Sequence, residues 1–190
     1  MSALPPLILA SNSPRRSELL RGLGYAFEVR TSGAAEMEAG ELSGTEMARL
    51  NAFRKARAVA REYPDCLVIG ADTVVYLGTK SYAKPADRPA ATGMLLELQG
   101  HTHEVITGVC LMHLRQRRGQ LFSDSTSVTF RPLTMDQIER YLAKINPLDK
   151  AGAYAIQEHG DEVVASIAGS FNNVVGLPVE RLEQALRAWG

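Results

Sequence analysis

The feature that most restricts this chain is one short apolar run, Cys66-Leu67-Val68-Ile69-Gly70-Ala71-Asp72-Thr73-Val74-Val75. Runs of this kind are what strands buried on both faces of a sheet show. This one contains a carboxylate. Inside an apolar strand Asp72 costs several kcal/mol unless it is paired, hydrogen-bonded or bound to metal. The alternative, an Asp capping a loop at the strand's exit, sits poorly with Thr73-Val74-Val75, which continue the strand.

A second constraint lies near the N-terminus. Leu7-Ile8-Leu9-Ala10 reads as a strand and Ser11-Asn12-Ser13-Pro14-Arg15-Arg16 as a tight polar loop. A helix carrying Leu19, Leu20 and Leu23 follows and stops at Gly22 and Gly24. Ser13 is placed to be the N-cap and Pro14 the first helical residue. Backbone N–H groups and the positive end of the helix dipole then face the loop, with two hydroxyls and two guanidiniums around it. An anion site and an ordinary capped helix with solvated arginines both fit this motif taken alone.

The spacing predicts a second helix over residues 43–63, opened by a Ser43/Glu46 capping box and ended by Pro64, with Ala48, Ala52, Ala56, Val59, Ala60 and Tyr63 on one stripe. Lys55 borders that stripe rather than pointing fully into water. After a turn at Gly78-Thr79, Lys84 precedes Pro85 and is held extended. A third helix is expected over residues 89–98, closed by Gly100. Residues 103–114 and 121–130 read as an antiparallel hairpin about a polar turn at 115–120. Thr134 and Gln137 open a further capped helix reaching about residue 144, residues 154–156 and 162–167 read as strands, and Pro178 starts a terminal helix. Helices interleaved with strands, some paired as hairpins, give a mixed α/β domain around one elongated sheet over residues 1–190, with no repeat or linker.

Composition excludes several classes. Twenty-one basic residues balance twenty-one acidic ones, so no global field favours nucleic acid or an anionic membrane. No segment approaches the roughly 20 apolar residues of a membrane span, and residues 1–10 lack the form of a signal peptide. Cys66 and Cys110 each lie in an apolar run and read as reduced buried thiols. These readings predict a cytoplasmic protein. His101 and His103 alternate on a strand but have no third ligand at a sensible spacing, and Arg115, Arg117 and Arg118 read as a solvated turn. Walker spacing and a nucleophile elbow are both missing from the sequence.

Four blocks now resemble the Maf family of nucleotide pyrophosphatases, over nearly the whole chain. They are Leu9-Ala10-Ser11-Asn12-Ser13-Pro14-Arg15-Arg16-Ser17-Glu18-Leu19-Leu20; Ile69-Gly70-Ala71-Asp72-Thr73-Val74-Val75 with Lys84-Pro85; Thr107-Gly108-Val109; and Asp149-Lys150-Ala151-Gly152-Ala153-Tyr154-Ala155-Ile156-Gln157 with Val175-Gly176-Leu177-Pro178. The resemblance implies an elongated mixed sheet with flanking helices and a deep cleft between two lobes, similar to inosine triphosphate pyrophosphatases, often as a homodimer. It implies hydrolysis of a nucleoside triphosphate to the monophosphate and pyrophosphate with a divalent metal, Mg2+ or Mn2+. By the same resemblance Asp72 is the proton acceptor and shares the metal with Glu36, while Arg16, Lys55 and Lys84 line the cleft and, with Ser11 and Ser13, hold the triphosphate.

Arg15, Thr73 and Gln157 correspond to the family's substrate-selecting positions and match its pyrimidine branch, for dTTP and UTP; the 7-methyl-GTP branch has tryptophan in place of the first. This chain departs from the common pattern at Ala83, where glycine is frequent, and at the small pair Gly33-Ala34 before Glu36. The rival readings are a nucleotide-binding regulator of septum formation with little turnover and an enzyme that removes modified pyrimidine nucleotides.

Overall fold

The computed structural model describes residues 4–35, 37 and 42–190. Seven strands form one sheet. They are β1 (Leu7–Ala10), β2 (Phe27–Val29), β3 (Leu67–Leu77), β4 (Lys80–Tyr82), β5 (Thr102–His113), β6 (Arg118–Phe130) and β7 (Val164–Ala168). Their order is β2-β1-β3-β5-β6-β7, with β4 paired to β3. The helices are α1 (Pro14–Gly22), α2 (Gly44–Glu62), α3 (Arg88–Leu98), α4 (Met135–Leu142), α5 (Phe171–Val175) and α6 (Val179–Arg187). The mixed α/β reading of the sequence is thus borne out. None of the described helices is long and apolar enough to cross a membrane.

The chain forms two compact units. One contains Met1–Asp72, Thr107–Asp124 and Gly176–Gly190; the other contains Thr73–Ile106 and Ser125–Val175. In the first unit β1 lies parallel to both β2 and β3. Alternation along these strands feeds two separate cores. Leu7, Leu9, Leu67, Ile69, Ala71, Val109 and Leu111 join Leu20 of α1 and Leu182 and Leu186 of α6. Ile8, Ala10, Val68, Cys110 and Met112 face Ala52, Ala56, Val59 and Ala60 of α2. A strand covered on both sides has no solvated face, which is why the run through Ile69 carries no polar alternation.

The close fit of α2 rests on two glycines. A Cβ on Gly70 would stand 2.3 Å from the Ala52 carbonyl oxygen, and one on Gly108 would stand 2.3 Å from that of Ala48. The alanine stripe therefore lies directly on strand backbone at both points. The helix begins as expected, since Ser43 accepts from the Glu46 N–H and the Glu46 carboxylate accepts from the Ser43 N–H.

The second unit has its own core, which includes Leu95 and Leu98 of α3, Ile138, Tyr141 and Leu142 of α4, and Val105, Val128 and Phe130 of the sheet. Within it His103 donates to or accepts from the Tyr154 hydroxyl over 2.9 Å and meets the Phe130 ring edge-on. Desolvation pushes the His103 imidazole down to about 4.

Two local readings change. Residues 154–156 are no strand, because the Tyr141 hydroxyl accepts from the Ala155 N–H and donates to the Ala155 carbonyl. One side chain thus occupies the groups that a ladder partner would use. Ser13 sits at the N-cap of α1 but makes no side-chain cap bond. Strands β2 and β4, each three residues long, and the five-residue helix α5 are additions that their lengths hid.

Candidate active site

The carboxylate that the strand could not hide has two partners. Asp72 is 6% exposed. Its Oδ1 accepts from Lys55 Nζ at 2.6 Å and its Oδ2 from Asn51 Nδ2 at 3.1 Å. Asn51 and Lys55 stand four residues apart on α2, hence on one helical face, and both are buried. Gly70, two residues before Asp72 on the same face of β3, is what lets that helix come close enough. Asn51 was missed in the sequence. The signal that could have found it is an amide inside an alanine stripe, a residue type unfavourable in helix interiors unless its side chain has a task.

Asn51 has a second function. Its Oδ1 accepts from the Met37 N–H at 2.9 Å and its Nδ2 donates to the Met37 carbonyl at 3.2 Å. The residue before, Glu36, named from the family resemblance as a metal ligand, lies outside the described residues.

The N-terminal loop is built around Ser11, which is 6% exposed. Its Oγ accepts from the Ser13 N–H and from Arg16 NH1, each at 3.2 Å. Arg16 Nε also donates to the Gly176 carbonyl at 2.8 Å, so this guanidinium is fixed in the Ser11 loop rather than solvated. Arg15 follows Pro14 in the first turn of α1 and is partly exposed.

Strand register places the two clusters at the same end of the β1–β3 pair. Ala10 pairs with Gly70 in the parallel β1–β3 ladder, so Ser11 leaves β1 at the level where Ala71 and Asp72 follow on β3. That is the carboxyl end of a parallel pair, where ligands of α/β sheets bind. A buried carboxylate, an amide, an ammonium and a loop with a fixed guanidinium thus share one end of this unit. The set can hold phosphate oxygens through Arg16, Lys55 and loop N–H groups, and can orient a water through Asp72.

The remaining residues expected from the sequence stand elsewhere. Thr73 follows Asp72 on β3, and alternation turns its side chain to the opposite face. Lys84 is exposed in the extended segment after β4, and Gln157 is exposed in the turn after Tyr154. Thr73, Lys84 and Gln157 all belong to the second unit. Among the described residues, no group of three or more His, Cys, Asp or Glu side chains could hold a metal. The donor chemistry of Asp72 nevertheless fits a hard cation. Each of its oxygens accepts one bond and keeps a further lone pair, and Mg2+ is commonly held by one or two carboxylates with substrate phosphates.

The family model for Maf-like protein matches residues 6–189. The chain belongs to this family. A Maf-like relative from Pelotomaculum thermopropionicum, named dTTP/UTP pyrophosphatase, is 45% identical over 184 residues, 97% of this chain and 96% of that one. One of the same name from Akkermansia muciniphila is 41% identical over 187 residues, 98% of each. Among solved structures, the Staphylococcus aureus Ham1 protein aligns with a TM-score of 0.57 at 14% identity, covering 97% of this chain and 100% of that one. A HAM1 protein from Coxiella burnetii aligns at 0.55 and 16% identity, with the same coverage. Ham1 proteins thus share the fold of this Maf-like chain; such identities carry no further.

Proposed function

We propose that this Maf-like chain hydrolyses the α–β phosphoanhydride of pyrimidine nucleoside triphosphates, dTTP and UTP, giving the monophosphate and pyrophosphate. The observation that carries the reading is Asp72, a buried carboxylate with ordered partners, at the same end of the β1–β3 pair as a cationic loop. The names of the relatives support the substrate class.

In this mechanism Asp72 accepts a proton from a water aligned on the α-phosphorus, and Lys55 and Asn51 keep the carboxylate oriented. Arg16, fixed between Ser11 and Gly176, offsets charge on the phosphates. Ser11, Ser13 and Lys84 would complete the hold on the triphosphate, and Arg15, Thr73 and Gln157 would shape the base site. A divalent cation, Mg2+ or Mn2+, would be held by Asp72, with Glu36 as the second carboxylate expected from the family, and would neutralise phosphate charge and acidify water. A protein that only bound nucleotide would gain nothing from a buried anion beside its phosphate loop. Two unpaired thiols, one of them buried, are consistent with a reducing cytoplasm.

The deciding experiment is pyrophosphate release from dTTP, UTP and 7-methyl-GTP with Mg2+ or Mn2+, by wild type and Asp72→Asn. Release from the first two, reduced by about a thousandfold or more in the variant while its circular dichroism is unchanged, supports the reading. Near wild-type turnover by Asp72→Asn would remove Asp72 from the proton-transfer role.

A further inference from the structure

Within the first unit one amide holds three groups at once. Asn51 Oδ1 accepts from the Met37 N–H at 2.9 Å, while Nδ2 gives one hydrogen to the Met37 carbonyl at 3.2 Å and the other to Asp72 Oδ2 at 3.1 Å. Asn51 serves Met37 as a neighbouring strand would and also reaches the carboxylate. The residue is 3% exposed, so little water competes for these bonds. Reversing the amide would set Oδ1 against the Met37 carbonyl and Asp72 Oδ2, and Nδ2 against the Met37 N–H. All three contacts would turn repulsive, so the orientation is locked.

Lys55 and Asn51 differ in what they do to Asp72. Lys55 brings a positive charge, which repels a second cation; Asn51 brings direction and no charge. A carboxylate held at one oxygen still swings about its Cβ–Cγ bond, whereas one held at both has its plane fixed. Met37 is joined to Glu36, the second carboxylate proposed for the metal, through the peptide whose N–H Asn51 holds. One side chain therefore restrains both that peptide and Asp72.

We propose that Asn51 is a positioning residue that clamps Asp72 to the main chain at Met37 and thereby sets the affinity of this site for a divalent cation. This rests on the reading that Asp72 holds such a cation. Without the clamp, the order that the amide supplies beforehand has to be created by the cation as it binds, which weakens binding. Groups that only orient metal ligands change metal affinity by about 10- to 100-fold when replaced. The coupling is reciprocal, so a cation favoured by the clamp stabilises the clamp by the same factor.

The test is Mn2+ alone, without nucleotide, titrated into the full chain and followed by electron paramagnetic resonance. Wild type is compared with Asn51→Ala, Asn51→Leu and Asp72→Asn, with circular dichroism to show that each is folded. Alanine continues the small-residue stripe of α2, and leucine keeps the branched shape of asparagine. Both Asn51 variants are expected to raise the Kd for Mn2+ by about tenfold or more, and Asp72→Asn by more still. The Mn2+ concentration for half-maximal pyrophosphate release from UTP should rise by a like factor, while KM for UTP at saturating Mn2+ changes by less than about twofold. A merely structural role would lower the urea midpoint and leave both metal constants alone. Wild type also gives a reading that does not depend on any variant folding: hydrogen exchange at the Met37 N–H should slow by about tenfold at saturating Mn2+. Unchanged exchange there, or Asn51 variants that bind Mn2+ as wild type does while Asp72→Asn has lost it, overturns the clamp alone. Mn2+ binding that is absent from wild type or intact in Asp72→Asn overturns the metal site at Asp72 and the clamp with it.

Discussion

Gly70 of β3 lies so close to Ala52 of α2 that a Cβ on the glycine would stand 2.3 Å from the Ala52 carbonyl oxygen and 2.7 Å from the Ala56 backbone N. These are backbone atoms, which cannot step aside as a flexible side chain would. Gly70→Ala must therefore move α2 or bend β3. The expected cost is about 3 kcal/mol, the upper end for overpacking, read as a lower urea midpoint. Because Asn51 and Lys55 travel with α2, kcat should also fall by about 100-fold under conditions where the variant is still folded. A variant with normal stability and turnover would show that the spacing of α2 does not set the Asp72 site.

The Lys55–Asp72 pair tests the site's electrostatics. Both side chains are about one-tenth exposed, with Nζ and Oδ1 separated by 2.6 Å. Lys55→Met leaves a buried carboxylate with only the Asn51 amide for company, and should cost about 3 to 5 kcal/mol. Lys55→Met combined with Asp72→Asn removes the stranded charge and should recover much of that loss. A double-mutant cycle by urea unfolding gives the coupling; additive effects would show that the two charges do not depend on each other.

His103 sets a pH dependence in the second unit. Its imidazole is 1% exposed, and desolvation lowers it from an ordinary 6.5 to about 4. The unfolded chain therefore binds the proton more readily between these values, so this stability is fully present above pH 6.5 and is lost as pH falls toward 4. At pH 5 the loss is about 2 kcal/mol, approaching about 3 below pH 4. His103→Phe should flatten the fall in urea midpoint between pH 7 and pH 5; an equally steep fall would place the proton uptake elsewhere.

How far the sequence could be read depended on whether a signal was local. Capping boxes at Ser43 and Thr134 use residues three apart and marked both helix starts. Asp72 stood out because one carboxylate in an apolar run has few explanations, and its strand was legible from the run itself. Its partners were less so. Lys55 was visible only as a residue bordering a stripe, and Asn51 was hidden because its use depends on how closely α2 approaches β3, which Gly70 and Gly108 decide from far along the chain. The Lys150–Glu158 ion pair was equally hidden, since a turn brings Lys150 back to Glu158. Lys84 stood out only as a lysine held extended before Pro85, while Glu36 and the specificity roles of Arg15, Thr73 and Gln157 came from family resemblance, because none of these carries a local pattern that separates it from a surface residue.

The misread segment at residues 154–156 shows the same limit and gives a last prediction. Tyr154-Ala155-Ile156 has strand composition, but Tyr141 Oη takes both the N–H and the carbonyl of Ala155, at 3.0 and 3.2 Å. Burial pushes the Tyr141 hydroxyl up to about 12, so it stays protonated and keeps its donor at neutral pH. Tyr141→Phe fits the same space yet leaves the Ala155 N–H and carbonyl buried without this partner, at a cost of about 1 to 3 kcal/mol. Because Gln157 lies two residues further on, the loss should also loosen its turn. Hydrogen exchange at residues 155–160 is expected to speed up in the variant. Unchanged protection there would mean that the turn is held by Lys150 and Glu158 without help from the tyrosine.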